Sequence, residues 1–202
     1  MGFAGEHNDH SEPAEAASRH PYTRLTPDHV IAAVETTGRL SDARILALNS
    51  YENRVYQVGV EDEEPVIAKF YRPNRWSRSQ IDEEHRFTRF LFDHEIPVVP
   101  PLVIDSNAEY PTIGNHDDFW FSIYPRQGGR APEFDNLDHL HLMGRFIGRI
   151  HAVGQGFRFE HRIRLSVDRA GENVSYILEA GFIPSDLEAA YHAITSEILS
   201  AI

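Results

Sequence analysis

Strand-like apolar runs occupy the first part of the chain, and helical periodicity dominates the second. The strand-like runs are residues 45–48, 54–60, 65–71, 102–105 and 119–125. The first three follow one another with short polar connections, a pattern typical of an antiparallel meander. We therefore predict an α+β fold whose first part contains an antiparallel five-stranded sheet.

Helical periodicity predicts four main helices. The first begins at Thr26, which can act as its N-cap, and ends at Gly38, and the second covers residues 74–94. A third covers residues 137–153, and a fourth begins at Ser185 with a capping box. The apolar stripe of the fourth helix continues to the last residue without a stop signal, so we expect the sequence to end within a helix.

Two changes of composition predict the boundaries of the lobes. Residues 1–24 mix Ala, Glu, Ser and His with little that could pack, which predicts a disordered leader. Gly128 and Gly129 follow the last strand and form a stretch that can bend before the helices begin. We therefore predict a small lobe with its hinge at residues 25–126 and a partial helical large lobe at residues 127–202.

The helix at residues 74–94 places a carboxylate at the centre of its apolar face. At about 100° per residue, its apolar side chains average to roughly 290° relative to Ile81, and Glu84 lies at about 300°. These side chains are Ile81, Phe87, Phe90, Leu91 and Phe92. Glu83 lies about 100° from the centre, so Glu84 is the carboxylate that needs a partner. The alternative is that both glutamates reach solvent.

The strand at residues 65–71 contains Lys69, the only lysine among the 19 Lys and Arg residues of the chain. An ammonium is a compact charge suited to contacting a polyphosphate, whereas the planar group of arginine suits bidentate surface pairs. Lys69 is therefore a candidate ligand for phosphate. The alternative is a chance lysine whose amine extends past the edge of the strand.

Overall composition narrows the classes of function. The net charge of −12 argues against nucleic acids and anionic membranes as partners. The absence of cysteine excludes disulfides, thiolate zinc sites and cysteine nucleophiles. No apolar run approaches the roughly 20 residues that a membrane span requires. We therefore expect a cytoplasmic protein with a packed core.

The 12 histidines do not form a recognisable metal motif. His139 and His141 are separated by two positions, a spacing that directs side chains to different sides of a helix. No His-Glu-x-x-His sequence occurs. We predict no metal ligands in this chain and expect these histidines to be solvated.

The order of the predicted elements resembles the small lobe and hinge of a protein-kinase-like fold. Residues 48–57, 68–76, 83–85, 97–98, 128–130 and 144–151 further resemble the bacterial stress response kinase A family. Members of this family are serine/threonine protein kinases with an aminoglycoside-phosphotransferase-like fold. The resemblance extends from about residue 25 to residue 202.

This resemblance implies roles for four residues at a nucleotide site. Lys69 would hold the α- and β-phosphates of ATP and would form an ion pair with Glu84, because two buried charges are tolerable only when they neutralise each other. Ser50 would face the phosphates from a turn that lacks the glycines of the usual phosphate loop. Residues 121–125, which include Tyr124, would form the hinge beside the adenine.

The catalytic loop of the family does not occur in this sequence. Family members carry a His-Gly-Asp-x-His-x-Gly-Asn loop, in which the Asp accepts the hydroxyl proton and the Asn binds Mg²⁺. Asp168 and Asn173 have the spacing of a kinase Asp and Asn, but no His-Gly precedes Asp168. We therefore predict no catalytic residue in this chain and expect that residue and the Mg²⁺ ligands beyond Ile202.

The resemblance implies the ATP-binding portion of a kinase that transfers the γ-phosphate of ATP to protein hydroxyls in a stress response. Its partners would be ATP, Mg²⁺ and a protein substrate, and the full-length protein would be a monomer. The chain alone would be inactive. Two alternatives stay open, namely a small-molecule kinase of the aminoglycoside, choline or homoserine type and a non-catalytic nucleotide-binding fragment.

Overall fold

The computed structural model describes residues 21–201. The chain divides into two compact units between residues 160 and 161. The lobe boundary predicted after residue 126 lies inside the first unit, in the connector that follows the last strand. Most of the predicted leader, residues 1–20, lies outside the described residues.

The first unit contains five strands and three helices, and the second contains two helices, within residues 21–201. In chain order they are α1 (Pro27–Glu35), β1 (Ser41–Leu48), β2 (Arg54–Val60), β3 (Val66–Phe70), α2 (Arg78–Asp93), β4 (Gly114–His116), β5 (Phe119–Pro125), α3 (Leu137–Gly154), α4 (Val167–Glu179) and α5 (Glu188–Ala201). The predicted α+β class is confirmed.

The five strands form one antiparallel sheet in the order β1-β2-β3-β5-β4. Lys69 lies in the central strand β3, with Val55 of β2 opposite on one side and Ser122 of β5 on the other. This register fixes the backbone of Lys69 between two neighbouring strands. The Lys69 side chain therefore projects from a strand that is paired with a neighbour on both sides.

The prediction of a strand at residues 102–105 is wrong, although the predicted number of strands, five, is correct. This segment makes isolated backbone hydrogen bonds, with the Leu102 amide donating to Ile123 O at 2.7 Å. Pro100 and Pro101 precede it, and proline has no N–H to donate to a ladder. The fifth strand is the short β4, where a Cβ added at Gly114 would lie 2.4 Å from the Phe121 ring.

The core lies between the sheet and α1. Its centre is fully buried and includes Val30, Val34, Val58, Phe70, Phe121 and Ile123. Residues 21–24, where the leader was predicted to continue, form a turn instead. Tyr22 explains the difference, because its buried ring stacks on Phe119 with ring centroids 6.1 Å apart.

Local capping signals set the helix starts. Thr26 caps α1 by accepting from the His29 amide at 3.3 Å. Ser77 and Gln80 form a reciprocal capping box that starts α2 four residues later than predicted. The last helix, α5, begins at Glu188 rather than just after Ser185. No helix within residues 21–201 has the length and apolarity that crossing a membrane requires.

Candidate functional site

An ion pair joins the central strand to helix α2. Lys69 donates through Nζ to Glu84 Oε1 at 2.5 Å. The lysine side chain is 20% exposed and the glutamate side chain is 31% exposed, so both side chains are partly accessible to solvent. The structure therefore brings together the two charged residues that the sequence singled out, at a place where a ligand could reach them.

The ion pair leaves the ammonium able to bind a further anion. An ammonium has three N–H donors, of which Glu84 engages one. The Lys69 Nζ also lies 4.8 Å from the centre of the Tyr71 ring, a cation–π distance. Two partners thus restrain the amine without using all of its hydrogen-bonding capacity. Such an amine is suited to contacting phosphate oxygens.

A buried polar network lies next to this ion pair. The Tyr71 hydroxyl is 2.8 Å from His85 Nε2, and His85 Nδ1 is 2.7 Å from the Thr112 hydroxyl. The Tyr124 hydroxyl joins at 3.4 Å from Tyr71. Burial raises the pKa of both Tyr71 and Tyr124 well above the usual value.

The turn between β1 and β2 contains Ser50 and is tied down at its base. Glu52 Oε1 lies 3.2 Å from Arg75 Nε, and Glu52 Oε2 lies 3.8 Å from an Arg72 nitrogen. The Tyr22 hydroxyl donates to the Glu52 carbonyl at 2.9 Å. Ser50 itself is partly exposed. Contacts at Glu52 thus restrain a turn that has no glycine.

Residues 121–125, to which the family resemblance gives the hinge role, lie in the strand that the apolar pattern predicted. These residues belong to β5, and they pair with β3 along its whole length, up to Pro125 opposite Val66. The apolar pattern of this stretch, which marks a strand, accounts for the pairing. The connector toward α3 therefore begins at Arg126. Tyr124 lies next to the end of β5 and directs its hydroxyl into the buried network.

Glu83 was predicted to lie away from the buried side of α2, and this prediction is wrong. Its side chain is among the most buried in the chain, and its carboxylate accepts from the Glu160 amide. Phe87 of the same helix packs on Phe157 and Phe159 with ring centroids 5.1 Å and 5.0 Å apart. Helix α2 is therefore covered on two sides, whereas the prediction from the 100° helical period assumed one apolar face.

Sequence reasoning also missed His85 and Tyr71 as site residues. A signal existed, because Tyr71 follows Lys69 by two positions, and residues two apart on a strand share a face. His85 directly follows Glu84. The apolar run at 65–71 thus presents Lys69 and then Tyr71, and the helix presents Glu84 and then His85. This matching order indicates two neighbouring contacts between the run and the helix.

The spacing match at Asp168 and Asn173 lies within helix α4. Asp168 is in the first turn of that helix, so neither residue is on a loop like that of a kinase catalytic site. Among residues 21–201, no group of three or more His, Cys, Asp or Glu side chains is arranged to hold a metal ion.

Residues 44–194 match the phosphotransferase enzyme family, and this match covers more than half of the chain. The chain belongs to the phosphotransferase enzyme family. It is 38% identical over 182 residues to stress response kinase A of Escherichia coli strain K12, covering 90% of this chain and 54% of that protein. The serine/threonine protein kinase RdoA of Salmonella typhimurium strain LT2 is 37% identical with the same coverage. The resemblance to the stress response kinase A family is confirmed, and the chain spans about half the length of these relatives.

A solved structure shares the fold of this phosphotransferase family member. It is the amicoumacin kinase hAmiN in complex with AMP-PNP, Ca²⁺ and Ami, with a TM-score of 0.65 and 19% identity. The match covers 94% of this chain and 55% of the kinase. The protein-kinase-like fold predicted from the order of elements is therefore confirmed.

Proposed function

We propose that this chain is the ATP-binding part of a serine/threonine protein kinase that acts in a stress response. Membership of a phosphotransferase family supports transfer of a phosphoryl group. The finer assignment, transfer of the γ-phosphate of ATP to protein hydroxyls, is supported by the names of relatives at 37–38% identity. We further propose that the complete enzyme is a cytoplasmic monomer.

The observation that carries this proposal is the 2.5 Å contact between Lys69 and Glu84. In phosphoryl transfer, a fixed cation near the α- and β-phosphates positions the nucleotide and offsets its charge. Lys69 would supply that cation, and Glu84 would hold it in one rotamer. Neither residue forms part of the sheet core, which fits an ion pair maintained for a ligand.

Two further residues are proposed to complete the nucleotide site. Ser50 would contact the phosphates from the β1–β2 turn, which Glu52 holds in place. Tyr124, beside the end of β5, would border the adenine while its hydroxyl stays in the buried network. Both roles come from the family resemblance and agree with the position of each residue in the fold.

The Mg²⁺ ligands and the residue that accepts the hydroxyl proton are proposed to lie beyond Ile202. Mg²⁺ would neutralise phosphate charge during transfer. The neighbouring kinase structure, which contains AMP-PNP and Ca²⁺, supports the use of a nucleotide with a divalent cation. We accordingly expect this chain to bind nucleotide without transferring phosphate.

A second candidate is a small-molecule kinase, because the structural neighbour is named for amicoumacin. That neighbour shares 19% identity with this chain, compared with 38% for stress response kinase A. The protein kinase is therefore preferred.

The nucleotide site is tested by the affinity of the chain for a fluorescent ATP analogue. The change Lys69→Ala should lower affinity by at least about tenfold, because a hydrogen bond to a charged group is among the stronger protein contacts. Arg169→Ala removes a positive charge from α4, where Arg169 pairs with Glu172, and serves as the matched control. Equal affinity of the Lys69→Ala variant and the original chain would overturn the proposed site.

Transfer is tested separately with radiolabelled ATP, Mg²⁺ and either a basic protein or an aminoglycoside. We expect no label on either acceptor. Label transfer that disappears in Asp168→Asn would show that this chain contains its own catalytic residue. Label on the aminoglycoside alone would favour the small-molecule kinase.

A further inference from the structure

We propose that Tyr71 and His85 are positioning residues that hold Lys69 and Glu84 in place for the nucleotide. The proposal rests on the proposed function, in which Lys69 binds phosphate. Tyr71 follows Lys69 by two positions in the chain, and His85 directly follows Glu84. Their side chains meet at 2.8 Å, so a second contact joins the end of β3 to α2 alongside the ion pair.

The two contacts differ in their exposure to solvent. Tyr71 is 2% exposed and His85 is 3% exposed, whereas the side chains of the ion pair are 20% and 31% exposed. Ion pairs that border solvent are weak and compete with water. A buried hydrogen bond between the same two elements is less accessible to water and fixes their spacing. The buried pair can therefore align the exposed pair before a ligand arrives.

Tyr71 contacts both partners of this arrangement. Its ring lies under the Lys69 amine, with Nζ 4.8 Å from the ring centroid, and its hydroxyl reaches His85 on the helix. Movement of the ring would thus disturb the amine directly. A phenylalanine at this position would keep the ring and lose the bond to the helix, which separates the two contributions.

His85 is itself held from a third direction. Its Nδ1 lies 2.7 Å from the Thr112 hydroxyl, in the loop before β4. Its Nε2 also lies 3.4 Å from the Ser122 hydroxyl, and Ser122 is the residue opposite Lys69 in β5. Hydroxyl groups can donate or accept, so either neutral tautomer of the ring can be satisfied here. The imidazole therefore ties α2 to the sheet beside Lys69.

The sole lysine of the chain allows a direct test without nucleotide. With ¹³C-labelled lysine, the full chain gives one set of lysine side-chain resonances, from Lys69. Tyr71→Phe should move the Cε resonance toward its value in Glu84→Gln. The matched control is Tyr56→Phe, which removes a hydroxyl from a tyrosine whose ring packs edge-on against Phe70 in the next strand. An unchanged Lys69 resonance in Tyr71→Phe would overturn the proposal.

A double-mutant cycle tests the effect on the ligand. Tyr71→Phe should weaken binding of the ATP analogue about fivefold, and this loss should disappear in the Lys69→Ala background. An equal loss in both backgrounds would show that Tyr71 does not act through Lys69, which overturns the positioning role alone. A Lys69→Ala variant with normal affinity would instead overturn the proposed function, and the lysine resonance would still decide the role of Tyr71.

Thr112→Val provides a second variant in case Tyr71→Phe does not fold. It removes the hydroxyl next to His85 Nδ1 and leaves the contact between Tyr71 and His85 intact. We expect a smaller shift of the Lys69 resonance in the same direction. No shift in a folded Thr112→Val variant would contradict the role of His85.

Discussion

The strands with the first two helices and the three later helices differ sharply in how their side chains are buried. Within residues 21–201, every buried side chain lies between Tyr22 and Ile123, and helices α3, α4 and α5 contain none. The later helices expose apolar residues that include Leu140, Ile147, Ile194 and Ile198. The chain also spans only about half the length of its curated relatives. The candidate site thus belongs to the region that contains all the buried side chains of residues 21–201.

The largest effect is expected in the centre of the core. Phe121 is fully buried and stacks on Phe70 with ring centroids 5.6 Å apart, so Phe121→Ala should lower the free energy of unfolding by about 3–5 kcal/mol. Leu140, on α3, is 40% exposed, and Leu140→Ala should cost about 0.5 kcal/mol or less. Urea denaturation of both variants measures the difference. Similar losses would contradict the contrast between the regions.

A smaller loss is expected at the edge of the same sheet. Gly114→Ala places a Cβ 2.4 Å from the Phe121 ring, and overpacking of this kind should cost about 1–3 kcal/mol. Gly128→Ala is the control, since nothing lies within 4 Å of a Cβ at that position. Denaturation midpoints would report both changes. A Gly114→Ala variant as stable as the control would show that β4 can shift away from Phe121.

Alkaline pH should destabilise the sheet region, because the tyrosines with a raised pKa lie there. Burial raises the pKa of Tyr22 to about 12, while a tyrosine in an unfolded chain ionises near 10. The folded state therefore keeps a proton that the unfolded state loses, so the contribution of Tyr22 to stability should be constant below pH ~10 and fall as the pH rises to ~12. Denaturation at several pH values tests this. Tyr22→Phe should lose less stability over that range, and an identical decline in both proteins would refute the assignment.

The smallest effect is expected in the later helices, and its sign is opposite. Nothing lies within 4 Å of a Cβ at Gly144 in α3, so Gly144→Ala should stabilise the chain by about 0.5–1 kcal/mol through helix propensity. Thermal unfolding would measure the gain. A destabilised variant would show that a neighbouring surface packs on this side of α3 in solution.

The sequence predicted well those features that depend on one strong local signal. A lone lysine in an apolar strand and a carboxylate at the centre of a helix face identified Lys69 and Glu84, which the structure joins at 2.5 Å. Apolar runs located four of the five strands, and the short connections between the first three indicated their antiparallel pairing. These signals act within one element or between neighbouring elements, so the pattern of residues alone contains them.

Features that depend on distant packing were predicted poorly. Strand β4 has three residues, and Gly114 leaves room for the Phe121 ring, a contact that no local pattern shows. The prediction that Glu83 lies away from the buried side of α2 failed because residues 157–160 cover a side of the helix that its periodicity indicated as exposed. The leader was predicted to be too long because Tyr22 finds its partner Phe119 almost one hundred positions later.

The attachment of Glu52 to Arg72 and Arg75 has a mechanical consequence for the candidate site. Both arginines lie in the short link between β3 and α2, and the Arg72 amide also contacts the Asn53 side chain at 3.4 Å. Lifting the β1–β2 turn must either break these contacts or pull the start of α2 with it. The turn and helix α2 are thus mechanically coupled. A ligand that shifts the turn would also change the distance between Glu84 on the helix and Lys69 on the strand.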